Sequence, residues 1–398
     1  MKILQLAPQF PFPEDEGGKI GLASTFRQLS RQADVTFFCY SKAKPTDDLI
    51  RYAEQYGKVI VHEHSTQNTP FRIFKSIFQK EPLYLSKHQN NEAFLLLKGM
   101  VLDDKFDIIH ADHTAMAPLA LELHKLSGIP CGLRLHNVEH LIWSRYEQVL
   151  PNYHPKRWYI SNQAKKLKNS ESKLLEQFSV CFPITDTDAK ITEHIAPNAN
   201  IVTAGPGINL QQWQPEGLER NSETIIHATT YDWVHNIDAV RWFIKEVMTK
   251  LHKINPKITL QLLGKYPPRD YFDYKNIGVD VLGFVPSVKP YLNAAGIYAA
   301  PLFVGGGIRL KILEAMAMEI PVVASSVSAE GIHGTRENGL IIAESADDFV
   351  KEIIYLVDNP EIARKLGQKA RKYILENYTW EKSIGIIYKT YQQLLEKQ

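Results

Sequence analysis

The stretch FVGGGIRLKILEAMAMEIPVVASSV, residues 303–327, sets three consecutive glycines, a basic pair and a lone acid in an apolar run. Gly305, Gly306 and Gly307 follow a strand-like segment and precede residues with helical spacing. Glycine lets the backbone approach a ligand closely and take positive φ. The free amides and partial positive charge of a helix N-terminus suit a phosphate. Lys311 in the first turns adds a point charge for a diphosphate. Glu314, three residues on, shares the helix face, where a carboxylate accepts two hydrogen bonds from a ribose diol. The expectation is a helix that opens on the glycines and binds a nucleoside diphosphate. The alternative for the same residues is a turn with a surface lysine and glutamate.

Other candidates sit at the ends of strand-like runs. LRLHNVEH carries His136, Asn137, Glu139 and His140. His136 and His140 with Glu139 lack the order of a zincin helix and have no evident third ligand, so no metal is expected. HADH offers His110, Asp112 and His113, either lining a cleft or serving as polar loop caps. Asp186-Thr-Asp188 follows the run VCFPI and precedes a helical pattern, so these acids read as an N-cap and not as metal ligands. Gly17 and Gly18 lie in the loop after the first strand, at a carboxyl edge, where a flexible turn is the plain reading, and Lys19 beside them could contact an anionic group or be solvated.

Elements of two kinds must position these residues. β-rich runs at 2–8, 34–40, 59–63, 106–112, 130–136 and 180–186 alternate with helical spacing such as 21–32 and 114–128. The pattern restarts with runs at 224–230, 258–264, 279–285, 293–302, 321–327 and 339–343, separated by helical segments at 236–254 and 308–318. Strands separated by helices predict parallel, doubly wound sheets, so the fold class is α/β with two Rossmann-like domains facing a central cleft. A Gly- and Pro-bearing segment at 203–215 reads as the linker and 360–396 as a closing helical stretch. The expected division is 1–205, 206–375 and a closing helix at 376–398. The length of 398 residues agrees with two or three domains. A net charge of +2 gives no electrostatic case for nucleic acid. The opening ILQLAPQF is too short for a signal-peptide core, and no run reaches the ~18 apolar residues of a membrane span. Three widely spaced cysteines suit reduced thiols and a cytoplasmic address.

The segment PLFVGGGIRLKILEAMAMEIPVVASSVSAEGI closely resembles the donor site of the family 4 glycosyltransferases of GT-B fold, in a glycine-rich variant. LAPQFPFPEDEGGKIGL, LRLHNVEHLIWSRYE and DWVHNIDAVRWF extend the resemblance over nearly the whole chain. It implies a retaining, metal-independent transferase of the EC 2.4 class that uses a nucleotide-diphosphate sugar. By the same resemblance Lys311 holds the donor phosphates, Glu314 the ribose, and the Gly305–Ile308 backbone with Arg309 the diphosphate and sugar. His136 falls beside the acceptor and donor sugar, and Gly17 and Gly18 near the diphosphate and acceptor. Two positions depart from the family pattern. A donor-contacting glutamate is replaced by Gly306, and the basic pair after the first strand of the second domain is matched only by His235.

The expected function is therefore sugar transfer in polysaccharide or cell-envelope glycan synthesis, to a saccharide or lipid-linked acceptor, with no cofactor. Alternatives are a non-catalytic nucleotide-sugar binding protein, a sugar-nucleotide epimerase of the same fold, and a dinucleotide-dependent oxidoreductase, which APQFPFPEDEGG does not fit as a glycine fingerprint. FRIFKSIFQK puts Phe71, Phe74, Ile77 and Phe78 on one helical face with Arg72, Lys75 and Lys80 elsewhere, and 156–173 is strongly basic. Both segments suit peripheral membrane contact, or a packed helix beside a solvated one.

Overall fold

This computed structural model describes residues 1–14, 17–151, 153–304 and 308–397. The chain forms two compact units, residues 1–206 with 380–398, and 207–379.

In the first unit six parallel strands, β1 Lys2–Ala7, β2 Asp34–Ser41, β3 Lys58–Glu63, β4 Ile108–Asp112, β5 Cys131–Leu135 and β6 Val180–Pro183, lie in the order 3-2-1-4-5-6. The second unit repeats that order with β7 Asn221–Ala228, β8 Thr259–Leu263, β9 Val279–Gly283, β10 Ala295–Ala300, β11 Val322–Ala324 and β12 Leu340–Ile342. Helices cover both faces of such sheets, which is why β4, β5 and β10 are buried along their whole length. In a sheet of this order the strand direction of travel reverses between the first and fourth strands, and ligands bind beyond their carboxyl ends. Those positions are β1/β4 in the first unit and β7/β10 in the second.

Three elements differ from the sequence expectation. The stretch 360–396 is two helices, Pro360–Asn377 and Trp380–Leu395. The chain leaves helical geometry at Tyr378, whose carbonyl accepts from the Ile208 amide at 2.8 Å, while Thr379 forms a bridge with Ile208. The second of these helices belongs to the first unit, where Trp380, Ile384, Ile387 and Tyr391 are buried. Gly17 and Gly18 are not a loop but the first two residues of the helix Gly17–Ser30. Asp186 and Asp188 are not the cap of their helix. Thr185 is, its hydroxyl accepting from the Asp188 amide at 2.8 Å and donating to the Asp188 carboxylate at 2.8 Å.

Candidate active site

In the second unit β10 ends at Ala300, and the following segment is tied down before the glycines begin. The Leu302 amide donates to the Ser328 hydroxyl at 2.9 Å, and the Ser325 hydroxyl donates to the Leu302 carbonyl. Both serines are fully buried just beyond β11. Gly305, Gly306 and Gly307 lie outside the described residues. The helix opens later than expected, at Leu310, with Arg309 as its extended N-cap residue. Ile308 packs against the core of this unit.

Lys311 and Glu314 meet on the first turn of that helix, with Lys311 Nζ 2.8 Å from Glu314 Oε2. Glu314 is buried and Lys311 is half exposed, its ammonium 5.7 Å from the Trp213 ring centroid. Burial raises the Glu314 pKa, and the Lys311 charge opposes that rise. The buried carboxylate is thus opposed by one half-exposed cation, which stays reachable from solvent. At the other strand of the reversal, β7, His227 Nδ1 donates to the Ala299 carbonyl at 2.7 Å, and burial lowers its pKa to about 4. His227 is thus a neutral brace between β7 and β10. His235 sits one residue into the helix Val234–Trp242 that follows β7.

The first unit concentrates its charge in side chains. Asp112 ends β4 and is fully buried. Its carboxylate accepts from Gln5 Nε2 at 3.1 Å and lies 2.6 Å from His136 Nε2 and 3.8 Å from Arg134 Nη1. Burial alone would raise the Asp112 pKa, but His136 and Arg134 outweigh it and hold the acid well below its usual range. The carboxylate therefore fixes the His136 ring through Nε2 and leaves Nδ1 as the other working nitrogen. That side of the ring faces Gly21, where an added Cβ would stand 3.1 Å from Cε1.

His113 follows at φ 105°, a left-handed conformation unusual for a non-glycine residue. Its Nδ1 is 2.6 Å from the Tyr84 hydroxyl and its ring centroid is 5.1 Å from that of His136. Burial lowers the His113 pKa to about 3, so the ring is neutral. Glu139 Oε1 is 3.9 Å away. Burial, with the Glu171 charge nearby, pushes the Glu139 pKa up to about 8. Glu171 in turn accepts from the Glu139 amide at 2.9 Å and the His140 amide at 3.2 Å, and pairs with His140 Nδ1 at 2.6 Å. A carboxylate on two free amides at a helix N-terminus is a favourable cap.

A recess of about 500 Å³ opens beyond β1, β2 and β3, lined among others by Gln9, Lys19, Tyr40, Lys42 and His64. Gly17 and Gly18 are exposed near its rim, and a Cβ on Gly18 would meet Gln9 at an ordinary 3.7 Å. Among the described residues no group of three or more His, Cys, Asp or Glu side chains is arranged to hold a metal ion.

The structure thus brings His136 together with Asp112 and, through His113, with Glu139. It pairs Lys311 with Glu314. Sequence reasoning had missed Gln5, Tyr84, Arg134 and Glu171 as members of the first cluster. Arg134 left one signal, a charged residue inside the strand run LRL, which must be paired if buried.

Residues 222–359 match the family described as Glycosyl transferases group 1. A Klebsiella pneumoniae protein encoded in the cps region is 21% identical over 98% of this chain and 99% of its own length. The lipopolysaccharide core biosynthesis mannosyltransferase LpcC of Rhizobium leguminosarum bv. viciae is 32% identical over 29% of this chain and 33% of its own. Among solved structures, the sucrose-phosphate synthase of Thermosynechococcus elongatus aligns over 100% of both chains at 15% identity and TM-score 0.73. The Anabaena protein HepE, in complex with UDP and glucose, aligns over 99% of this chain and 100% of its own at 15% identity and TM-score 0.65. The second unit carries the match to the group 1 glycosyl transferases, and the chain as a whole has the two-domain GT-B fold.

Proposed function

We propose that the chain is a retaining, metal-independent glycosyltransferase of family 4 type, taking a sugar from a nucleotide-diphosphate sugar to a saccharide or lipid-linked acceptor in cell-envelope or polysaccharide synthesis. The bond from the anomeric carbon to the diphosphate breaks, the acceptor hydroxyl oxygen takes its place, and the nucleoside diphosphate and a proton are released. The observation that carries this reading is the Lys311–Glu314 pair on the helix beyond β10, at the strand reversal of the second sheet. Lys311 neutralises the departing diphosphate, and Glu314 receives the ribose hydroxyls as the lysine turns to the phosphates. Arg309, Ile308, the Gly305–Gly307 backbone and His235 complete the donor site. In the first unit Asp112 holds His136 in one tautomer, and His136 positions the acceptor hydroxyl or stabilises charge near the reacting carbon. The recess beside Gly17 and Gly18 takes the acceptor.

Support also comes from the match of residues 222–359 and from a relative named as a lipopolysaccharide core mannosyltransferase. Among the described residues no helix is long and apolar enough to cross a membrane. The proposed place of work is the cytoplasmic face, in peripheral contact with the membrane that bears a lipid-linked acceptor.

Thermal-shift measurements with UDP, GDP, dTDP, ADP and CMP test the donor site. A ligand at 100 times its dissociation constant stabilises the native state by about 2.7 kcal/mol. One diphosphate is expected to stabilise wild type and neither Lys311→Ala nor Glu314→Ala. Stabilisation of both variants by the same diphosphate would remove the site from this helix. Product anomer by NMR, with and without EDTA, tests retention and metal independence.

A further inference from the structure

The helix Pro70–Phe78 in the first unit is amphipathic with the wrong side out. Phe71, Phe74 and Phe78 are 73%, 62% and 76% exposed, whereas its one fully buried side chain is Ser76. Positions 71, 74, 75 and 78 share one stripe of a helix and 76 lies opposite. The protein grips the polar side. Ser76 Oγ is 2.9 Å from the Tyr159 hydroxyl. Gln163 Nε2 donates to the Ser76 carbonyl at 3.3 Å, and Lys166 Nζ donates to the carbonyls of Ser76, Ile77 and Gln79 at 2.8, 2.9 and 2.7 Å. The N-terminus is fixed as well, since Thr69 Oγ1 caps the Arg72 amide and the Arg72 guanidinium donates to the carbonyls of Ser65 and Gln67. Held at both ends and from behind, the three rings are presented outward by construction. Phe74 and Phe78 touch only edge to face, at 5.4 Å between centroids.

We propose that this aromatic stripe docks on an anionic lipid bilayer. Charge selects that occupant. Residues 70–80 hold three basic side chains and no acid, with Lys75 inside the stripe and Lys80 just past the helix, both exposed. The helix that grips it, Pro155–Leu175, carries six basic residues and one acid between 156 and 173, and that acid, Glu171, is buried against His140. Trp158, next to the Tyr159 contact, is 61% exposed. Aromatic rings that sink to the headgroup level among lysines that stay in the phosphate layer are the pattern of a helix lying in a membrane interface. Area argues against a second copy of the chain. Three phenylalanines of ~150–250 Å² each, two-thirds exposed, offer about 400 Å², half of the ~800 Å² per partner in a stable interface. The proposal is independent of the chemistry of the donor site and supplies a place for the lipid-linked acceptor of the proposed function.

Co-sedimentation of the full chain with phosphatidylcholine vesicles, with and without phosphatidylglycerol, tests it. Wild type is expected to pellet with the anionic vesicles and to be released by high salt. Phe71→Ser/Phe74→Ser/Phe78→Ser should lower the partition at least tenfold, and Lys75→Glu/Lys80→Glu by several-fold. Phe272→Ser/Phe284→Ser, removing exposed rings in the second unit, should change nothing. All these side chains are exposed, and an unchanged diphosphate thermal shift shows that the variants fold and keep the donor site. Absence of wild-type binding, or equal binding by the triple Phe variant, overturns the proposal. So does a wild-type dimer in light scattering that the triple variant converts to monomer, because the stripe would then belong to a second copy.

Discussion

At the carboxyl edge of the first sheet, Asp112, His113, His136, Glu139, His140 and Glu171 form one connected set of ionisable side chains. At the same edge of the second sheet, the described residues of the helix beyond β10 contribute one ion pair, Lys311 with Glu314. The strand order is identical, so topology does not account for the contrast. What differs is the source of polarity. In the proposed function the second unit binds with a helix end and the Lys311 ammonium, which suits a diphosphate whose charge is always present. The first unit instead carries groups whose pKa values are spread by burial, Glu139 upward to about 8 and His113 downward to about 3. Groups pushed apart in this way hold or pass a proton at fixed places. In the proposed function a shared backbone plan hosts anion binding in one copy and proton positioning in the other.

The largest expected effect breaks the first side of that comparison. Asp112→Asn keeps the shape but removes the charge that fixes His136, and kcat should fall on the order of 10²–10⁴-fold, the usual worth of a positioned acid–base group. Donor binding, followed by thermal shift, should be unchanged, and a variant that loses both would mean that the two units do not divide the work. Lys311→Ala should act in the opposite sense, weakening diphosphate binding about 10²-fold, as for loss of one charge-assisted hydrogen bond of about 1.5–3 kcal/mol. The same variant leaves the buried Glu314 carboxylate unpaired, so some loss of stability is expected with it. The double variant with Glu314→Ala should recover that stability but not the binding.

A stability–pH profile sharpens the comparison next. Glu139 titrates from 4.5 in the unfolded chain to about 8 when folded. Between those values the folded state keeps a proton that the unfolded state has released, so stability falls as pH rises from 4.5 to 8. His113, lowered from 6.5 to about 3, works the other way, because the unfolded state gains the proton first and stability falls as pH drops below 6.5. His88 and His110, both lowered to about 4 by burial, add to the acid side. Glu139→Gln should flatten the alkaline limb and gain on the order of a few kcal/mol over wild type at pH 8 relative to pH 5. An unchanged alkaline limb in chemical denaturation would show that Glu139 is ionised at neutral pH in the folded chain.

Much of the fold was legible because parallel strands buried on both faces leave apolar runs that alternate with helical spacing, and all twelve runs read from the sequence fall on strands. Boundaries were less so. Residues 17 and 18 read as a loop because glycine is a poor helix former, but the helix continues into residues buried against the sheet, and that packing outweighs local propensity. The break at Tyr378 carries no proline or glycine and is set by backbone bonding to Ile208, about 170 residues away in sequence and invisible to any local window. The candidate sites split in the same way. Lys311 and Glu314 are neighbours in sequence, so their pairing could be read from helical spacing. Asp112, His136, Tyr84 and Glu171 come from four separate segments, and only the sheet order 1-4-5 and the packing of the helix Pro155–Leu175 bring them together.

The smallest effect separates geometry from stability within the first unit. Gly21 lies mid-helix, and alanine there should favour the helix by up to about 1 kcal/mol. Its Cβ would stand 3.1 Å from His136 Cε1, tighter than ordinary packing, and 3.7 Å from Nδ1. A ring that yields away from Gly21 strains the 2.6 Å contact with Asp112, which is held in turn by Gln5. Gly21→Ala is therefore expected to leave the melting temperature within a few degrees of wild type, to lower kcat several-fold and to leave donor binding intact. The contrast variant is Gly385→Ala, where an added Cβ meets nothing within 4 Å and both activity and binding should stay at wild-type levels. If Gly21→Ala keeps full activity, the face of His136 toward that helix takes no part in the reaction, and the role given to its Nδ1 falls while the Asp112 contact remains a structural one.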